Sequence, residues 1–101
     1  MLFMAGEDTR YIGLDILHVR STGNWSECAI LLEIWRFGAL LQTSKPFPAG
    51  EVVEVGFDGG SIKATVDSCQ QDPFGFIVEI TVNLPAGWFP SVYSPEYLLP
   101  T

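Results

Sequence analysis

Apolar and polar positions alternate along most of the chain with a period of two. Ile12, Leu14, Ile16 and His18 alternate with Gly13, Asp15 and Leu17. Cys28, Ile30, Leu32 and Ile34 alternate with Ala29, Leu31 and Glu33. Val53, Val55 and Phe57 form a third set, Ile62, Ala64 and Val66 a fourth, and Phe76, Val78, Ile80 and Val82 a fifth. A strand sends successive side chains to opposite faces, so this period predicts half-buried β-strands with the first-named set of each run turned to the core. Turn residues separate the runs: Ser21–Asn24, the proline-rich stretch Lys45–Gly50, Asp58-Gly59-Gly60, and Gln70–Gly75. Connections this short join antiparallel neighbours. Six strands in about 80 residues predict a small antiparallel barrel or sandwich, because closure removes exposed edges.

The end of the chain breaks the pattern. Residues 83–101 hold Pro85, Pro90, Pro95 and Pro100, together with Trp88, Phe89, Tyr93 and Tyr97. Ser94-Pro95-Glu96 has the form of a helix start, with serine as N-cap and proline at the first helical position. Pro100 would stop such a helix after one turn. The expectation is a short helix or an ordered tail whose aromatic rings pack on the barrel. Each ring buried is worth roughly 1.5–3 kcal/mol.

Composition narrows the function. The chain has 101 residues, is 48% hydrophobic and carries a net charge of −7. One domain is expected: an N-terminal arm at 1–10, a barrel at 11–82 and the tail at 83–101. Arg10, Arg20, Arg36, Lys45 and Lys63 are the only cations beside His18, and they are scattered. Nucleic-acid and anionic-membrane binding both need clustered cations, so both are disfavoured. The N-terminus lacks a basic segment ahead of an apolar one, which makes the cytoplasm the expected address. Cys28 and Cys69 are isolated in sequence, with no metal-type spacing, and are expected to be buried thiols.

The order of motifs from Ala29 to Val82 resembles the PilZ domain. Gly38-Ala39-Leu40-Leu41 corresponds to that family's "GALL" strand, and Pro46-Phe47-Pro48-Ala49-Gly50 to its "PLPxG" connection. Val53-Glu54-Val55 and Gly75-Phe76-Ile77-Val78-Glu79-Ile80 supply its "VEV" strand and closing hairpin. The resemblance implies a bacterial signalling protein built as a six-stranded antiparallel barrel with a C-terminal helix. It also implies a site for cyclic di-GMP, made from an R-x-x-x-R arm and a D/N-x-S-x-x-G turn.

Both motifs are altered here. The arm reads Gly6-x-x-x-Arg10, with Glu7 and Asp8 between, and the turn reads Glu33-Ile34-Trp35-Arg36-Phe37-Gly38. Glu33 keeps a carboxylate on a longer stem, Trp35 replaces the hydroxyl, and Gly38 is retained. A dianionic ligand needs forked, charge-assisted contacts, and too few remain. Cyclic di-GMP is therefore not expected to bind. Two readings of the turn stand side by side. Trp35 packs at the barrel mouth against Trp25 or the tail, or Trp35, Arg36 and Phe37, with Trp88 and Phe89, anchor a protein partner. A divergent nucleotide sensor using Arg10, Arg20 or Arg36, and a homodimer formed through the aromatic tail, are the alternatives.

Nothing in the sequence points to an enzyme, a cofactor or a metal. His18, the single histidine, falls on an apolar strand face and reads as a core or rim residue. Ser26 and Ser68 sit in no nucleophile motif.

Overall fold

A computed structural model describes residues 9–21 and 26–100. Within them lie eight strands and no helix: β1 (Tyr11–Gly13), β2 (Ile16–Arg20), β3 (Ser26–Trp35), β4 (Gly38–Thr43), β5 (Val52–Phe57), β6 (Gly60–Asp72), β7 (Gly75–Val82) and β8 (Leu98–Pro100). All pairings are antiparallel, in the order β2-β5-β6-β7-β4-β3, and β2 also pairs with β3, which closes a six-stranded barrel. The all-β barrel expected from the period of two is borne out. β1 and β8 extend the sheet beyond β3.

The first alternating run is not one strand. It breaks at Leu14-Asp15 into β1 and β2, and both pieces pair with β3. The register of β3 shifts between Leu31 and Glu33, where one extra residue bulges. The Asp15 carbonyl accepts the Leu31 N–H at 2.9 Å and so bridges the break. A bulge bends its strand and reverses the facing of the residues beyond it. Accordingly β3 buries Ala29 and Leu31 before the bulge and Ile34 after it.

This corrects the expected facing of two runs. Ile12, Leu14, Ile16 and Ile30 lie outside the barrel, and Leu17, Val19, Ala29 and Leu31 fill it. Aliphatic residues occupy both faces of these strands, so alternation in hydrophobicity alone picked the wrong one. In β5, β6 and β7 the expected set turns inward: Val53, Val55, Ile62, Ala64, Val66, Val78, Ile80 and Val82 are buried, and Phe57 and Phe76 are half-buried against them. The Asp58-Gly59 turn forms as read, with Gly59 at φ 101°, a conformation open to glycine.

Two aromatic residues close the core at its ends. The loop between β4 and β5 buries Phe47 completely at one. At the other, the tail returns over the barrel mouth and buries Trp88 completely. The Trp88 main-chain N–H donates to the Arg36 carbonyl at 2.8 Å, and its indole Nε1–H to the Gly38 carbonyl at 3.2 Å. The ring stacks on Tyr93 with centroids 5.2 Å apart, and Phe57 meets it edge-on at 6.3 Å.

The tail is ordered but contains no helix, contrary to the Ser94-Pro95-Glu96 signal. Asp15 accounts for the difference. Its Oδ2 accepts from the Glu96 N–H and from the Tyr93 hydroxyl, each at 3.0 Å. The chain then pairs Leu98, Leu99 and Pro100 with Gly13, Ile12 and Tyr11. A single helical turn closes few backbone bonds, so an open strand edge competes well for the same donors and acceptors.

The packing of the tail can be checked in two ways. Replacing Trp88 by alanine removes a fully buried ring and one hydrogen bond, and should lower the unfolding free energy by about 3–5 kcal/mol in urea titration. The second check concerns pH. Burial first, then the hydrogen bond to Asp15 and the negative charge of Asp15, hold the Tyr93 hydroxyl well above its ordinary value of 10.0. The unfolded chain gives up that proton near pH 10 while the folded chain keeps it, so the stabilisation is complete below about pH 10 and declines as pH rises. Between pH 10 and 11.5 the unfolding free energy should fall more steeply than in Tyr93→Phe, by up to about 1.4 kcal/mol per pH unit. Equal slopes in the two proteins would refute this.

Candidate functional site

The Glu33–Gly38 turn is a tight hairpin. β3 ends at Trp35, Arg36-Phe37 make the turn, and Gly38 opens β4 directly opposite Trp35. A Cβ at Gly38 would collide with the Ile80 carbonyl and come within 2.9 Å of the Trp35 ring. The missing side chain at Gly38 thus leaves room for the indole and for the close approach of β7. Trp35 itself is only 8% exposed.

Arg10 covers the outer face of that indole. Tyr11 pairs with Ile34, so antiparallel register sets Arg10 opposite Trp35. The guanidinium lies 3.8 Å from the ring centroid, and Nη1 is 3.4 Å from Glu33 Oε1. The motif positions Arg10, Glu33, Trp35 and Gly38 therefore converge, and they are engaged with one another. A cation over an indole contributes about 0.5–1 kcal/mol when exposed and about 2 when dry. The half-exposed ion pair adds less than about 1 kcal/mol.

The other expected site residues separate. Gly6 and Trp25 fall outside the described residues. Arg20 pairs with Glu54 at 3.7 Å. It lies opposite Ser26, eight residues along β3 from Ile34, or roughly 25 Å away at strand spacing. It cannot share a small ligand with Arg10. Arg36 is exposed, and its Nε–H donates to the Ala86 carbonyl at 3.1 Å. Phe37 is half-buried beneath that guanidinium, 5.2 Å from the ring centroid. Of the candidate partner anchors Trp35, Arg36, Phe37, Trp88 and Phe89, the two tryptophans and Phe89 are buried against the chain's own barrel. Of the tail aromatics, Trp88, Phe89 and Tyr93 are buried and Tyr97 is exposed.

One opening lies beside the turn and another lies away from it. The larger, about 580 Å³, is an apolar groove with Tyr11, Phe89 and Leu98 in its walls and Arg36 on its rim. The smaller, about 360 Å³, lies where β1 gives way to β2 and is lined by Leu14, Ile16, Tyr97, Asp15, Asp58 and Glu96 among others. The contact of Asp15 with Tyr93 is not legible in the sequence, because a carboxylate and a phenol 78 positions apart carry no local signal of it.

His18 and Cys28 also depart from expectation. Both are exposed on the outer wall, with His18 Nδ1 3.7 Å from Cys28 Sγ, and Cys69 is partly buried. They face outward because Leu17 and Ala29 point in. Among the described residues no group of three or more histidines, cysteines and carboxylates could hold a metal, and no helix is long and apolar enough to cross a membrane.

Comparison of the chain with protein-family models, curated proteins and solved structures gives no match. The site must be read from its own geometry. If Arg10 stacks on Trp35 in solution, a double-mutant cycle of Arg10→Gln and Trp35→Leu should return a coupling of about 0.5–2 kcal/mol in unfolding free energy. A coupling of zero would mean that the stacking contributes nothing.

Proposed function

We propose that the chain is a non-enzymatic, PilZ-like interaction module of bacterial signalling, whose nucleotide-binding turn is occupied by its own side chains. The observation that carries this reading is Arg10 lying between the Trp35 ring and the Glu33 carboxylate. In the family it resembles, an arm arginine stacks on a guanine and grips a phosphate. Here the chain itself supplies an aromatic ring and an anion to its arginine. Trp35 lies over Gly38, where a glycine would otherwise admit a ligand to the backbone.

The energetics favour self-occupation. A ligand seeking Arg10 must displace contacts already made at high effective concentration, and it gains no compensating arginine from Gly6. It also meets a chain of net charge −7. A dianion approaching that field is repelled rather than steered. With signal binding removed, the barrel still offers its outer surface, and a protein partner in the cytoplasm is the reading that uses it.

A second reading has one observation in its favour. The groove of about 580 Å³ beside the turn has Arg36 on its rim and aromatic walls from Tyr11 and Phe89. A planar anionic ligand could stack there without using the family's own motif.

Isothermal titration separates the two. The proposed reading expects no saturable heat with cyclic di-GMP up to about 0.5 mM at low salt, a limit that excludes useful affinity. Saturable heat abolished by Arg36→Ala would establish the groove as a divergent sensor and overturn self-occupation as the end of nucleotide binding.

A further inference from the structure

We propose that the cleft between the Leu14–Leu17 segment, the Phe57-Asp58 turn and the tail receives a lysine or arginine side chain from a basic, amphipathic segment of a protein partner. This rests on the reading of the chain as an interaction module and assigns that module its docking surface.

The first support is an aliphatic stripe on the outer wall. Leu14 is 63% exposed, Ile16 57% and Ile12 38%. Strand register prolongs the stripe on both sides, setting Leu99, 60% exposed, beside Ile12, and Ile30, 40% exposed, beside Ile16. Single exposed aliphatic residues are ordinary, but a contiguous stripe of five on a small barrel is a feature of interaction surfaces. The core has no need of these side chains, since the opposite faces of the same strands fill it with Leu17, Val19, Ala29 and Leu31.

The second support is charge within the same surface. The cleft sets Leu14, Ile16 and Tyr97 beside the carboxylates of Asp15, Asp58 and Glu96. Asp58 and Glu96 are exposed, while Asp15 is half-buried with its Oδ2 already accepting from Tyr93 and Glu96, so it adds negative charge behind them. The ion pairs Arg10–Glu33 and Arg20–Glu54 lie elsewhere. Lysine and arginine carry a cationic head on an apolar stem, which matches an apolar wall ending in carboxylates. A chain of net charge −7 draws a basic segment toward itself. A second copy is disfavoured, because a two-fold contact over the stripe would bring two sets of carboxylates together.

The test uses the full chain and labelled synthetic peptides in which leucine alternates with arginine, with citrulline or with glutamate, followed by fluorescence anisotropy at about 0.15 M salt. The arginine peptide should bind saturably, and the neutral citrulline peptide about tenfold more weakly or worse. Asp58→Asn with Glu96→Gln, and separately Leu14→Ser with Ile16→Ser, should each weaken the arginine peptide by about tenfold. All four positions are at the surface, and circular dichroism would establish that the variants fold. Asp67→Asn with Glu79→Gln removes the same charge from β6 and β7 and should change affinity by less than about twofold.

Equal loss in the two charge-removing variants would reduce the effect to bulk charge and overturn the proposal. So would equal binding of the citrulline peptide, or no saturable binding below about 1 mM. Sedimentation showing a dimer that Leu14→Ser with Ile16→Ser disperses would give the stripe to a second copy instead. The two readings fail separately. Cyclic di-GMP binding would overturn the self-occupied turn while leaving the peptide data as they stand. Loss of cleft dependence would overturn the docking surface while the turn stays self-occupied.

Discussion

Two indole rings and a neighbouring strand converge on Gly38. Trp35 lies across it from within its own hairpin, the Ile80 carbonyl backs against it from β7, and Trp88 donates its indole N–H to its carbonyl. A single methyl group there would collide with the Ile80 carbonyl and crowd the Trp35 ring. The barrel mouth, the tail and the arm therefore share one constraint, which is the absence of a side chain at one position. Arg10 stacks on the Trp35 indole, and Trp88 carries the tail into the core. A glycine that would elsewhere let a ligand approach the backbone here lets the protein approach itself.

A second constraint is the break in the first alternating run. Had Tyr11 to Arg20 continued as one strand, Asp15 would have been an ordinary ladder residue. Because the chain parts at Leu14-Asp15 and β3 bulges beside it, the Asp15 carboxylate is free to accept from Tyr93 and Glu96. That carboxylate converts a proline-rich tail into an eighth strand. It also leaves a notch in the wall where aliphatic and acidic side chains lie side by side. Fold closure and the candidate docking cleft thus share one irregularity.

The candidate site was partly legible in the sequence. Arg10, Glu33, Trp35 and Gly38 could be picked out by motif position, and the structure brings those four together. That they would satisfy one another was not legible, since stacking and pairing depend on the register of β1 against β3. Trp88 and Phe89 can be read from the sequence either as exposed anchors or as packing. Only the path of the tail decides that they are inside.

The sequence by itself determined the all-β class, the antiparallel pairing and the Asp58-Gly59 turn, because a period of two and short glycine- and proline-containing connections admit few other folds. It also determined the net charge of −7 and the glycine at position 6, four residues before Arg10. The tertiary structure decided which face of β2 and β3 is core, because both faces of those strands are aliphatic and a bulge reverses one midway. It decided that the tail becomes a strand, because an open edge and the Asp15 carboxylate take the donors that a one-turn helix would have used. Local pattern can propose such pairings, but contacts between residues 15 and 93 exist only once the barrel has closed.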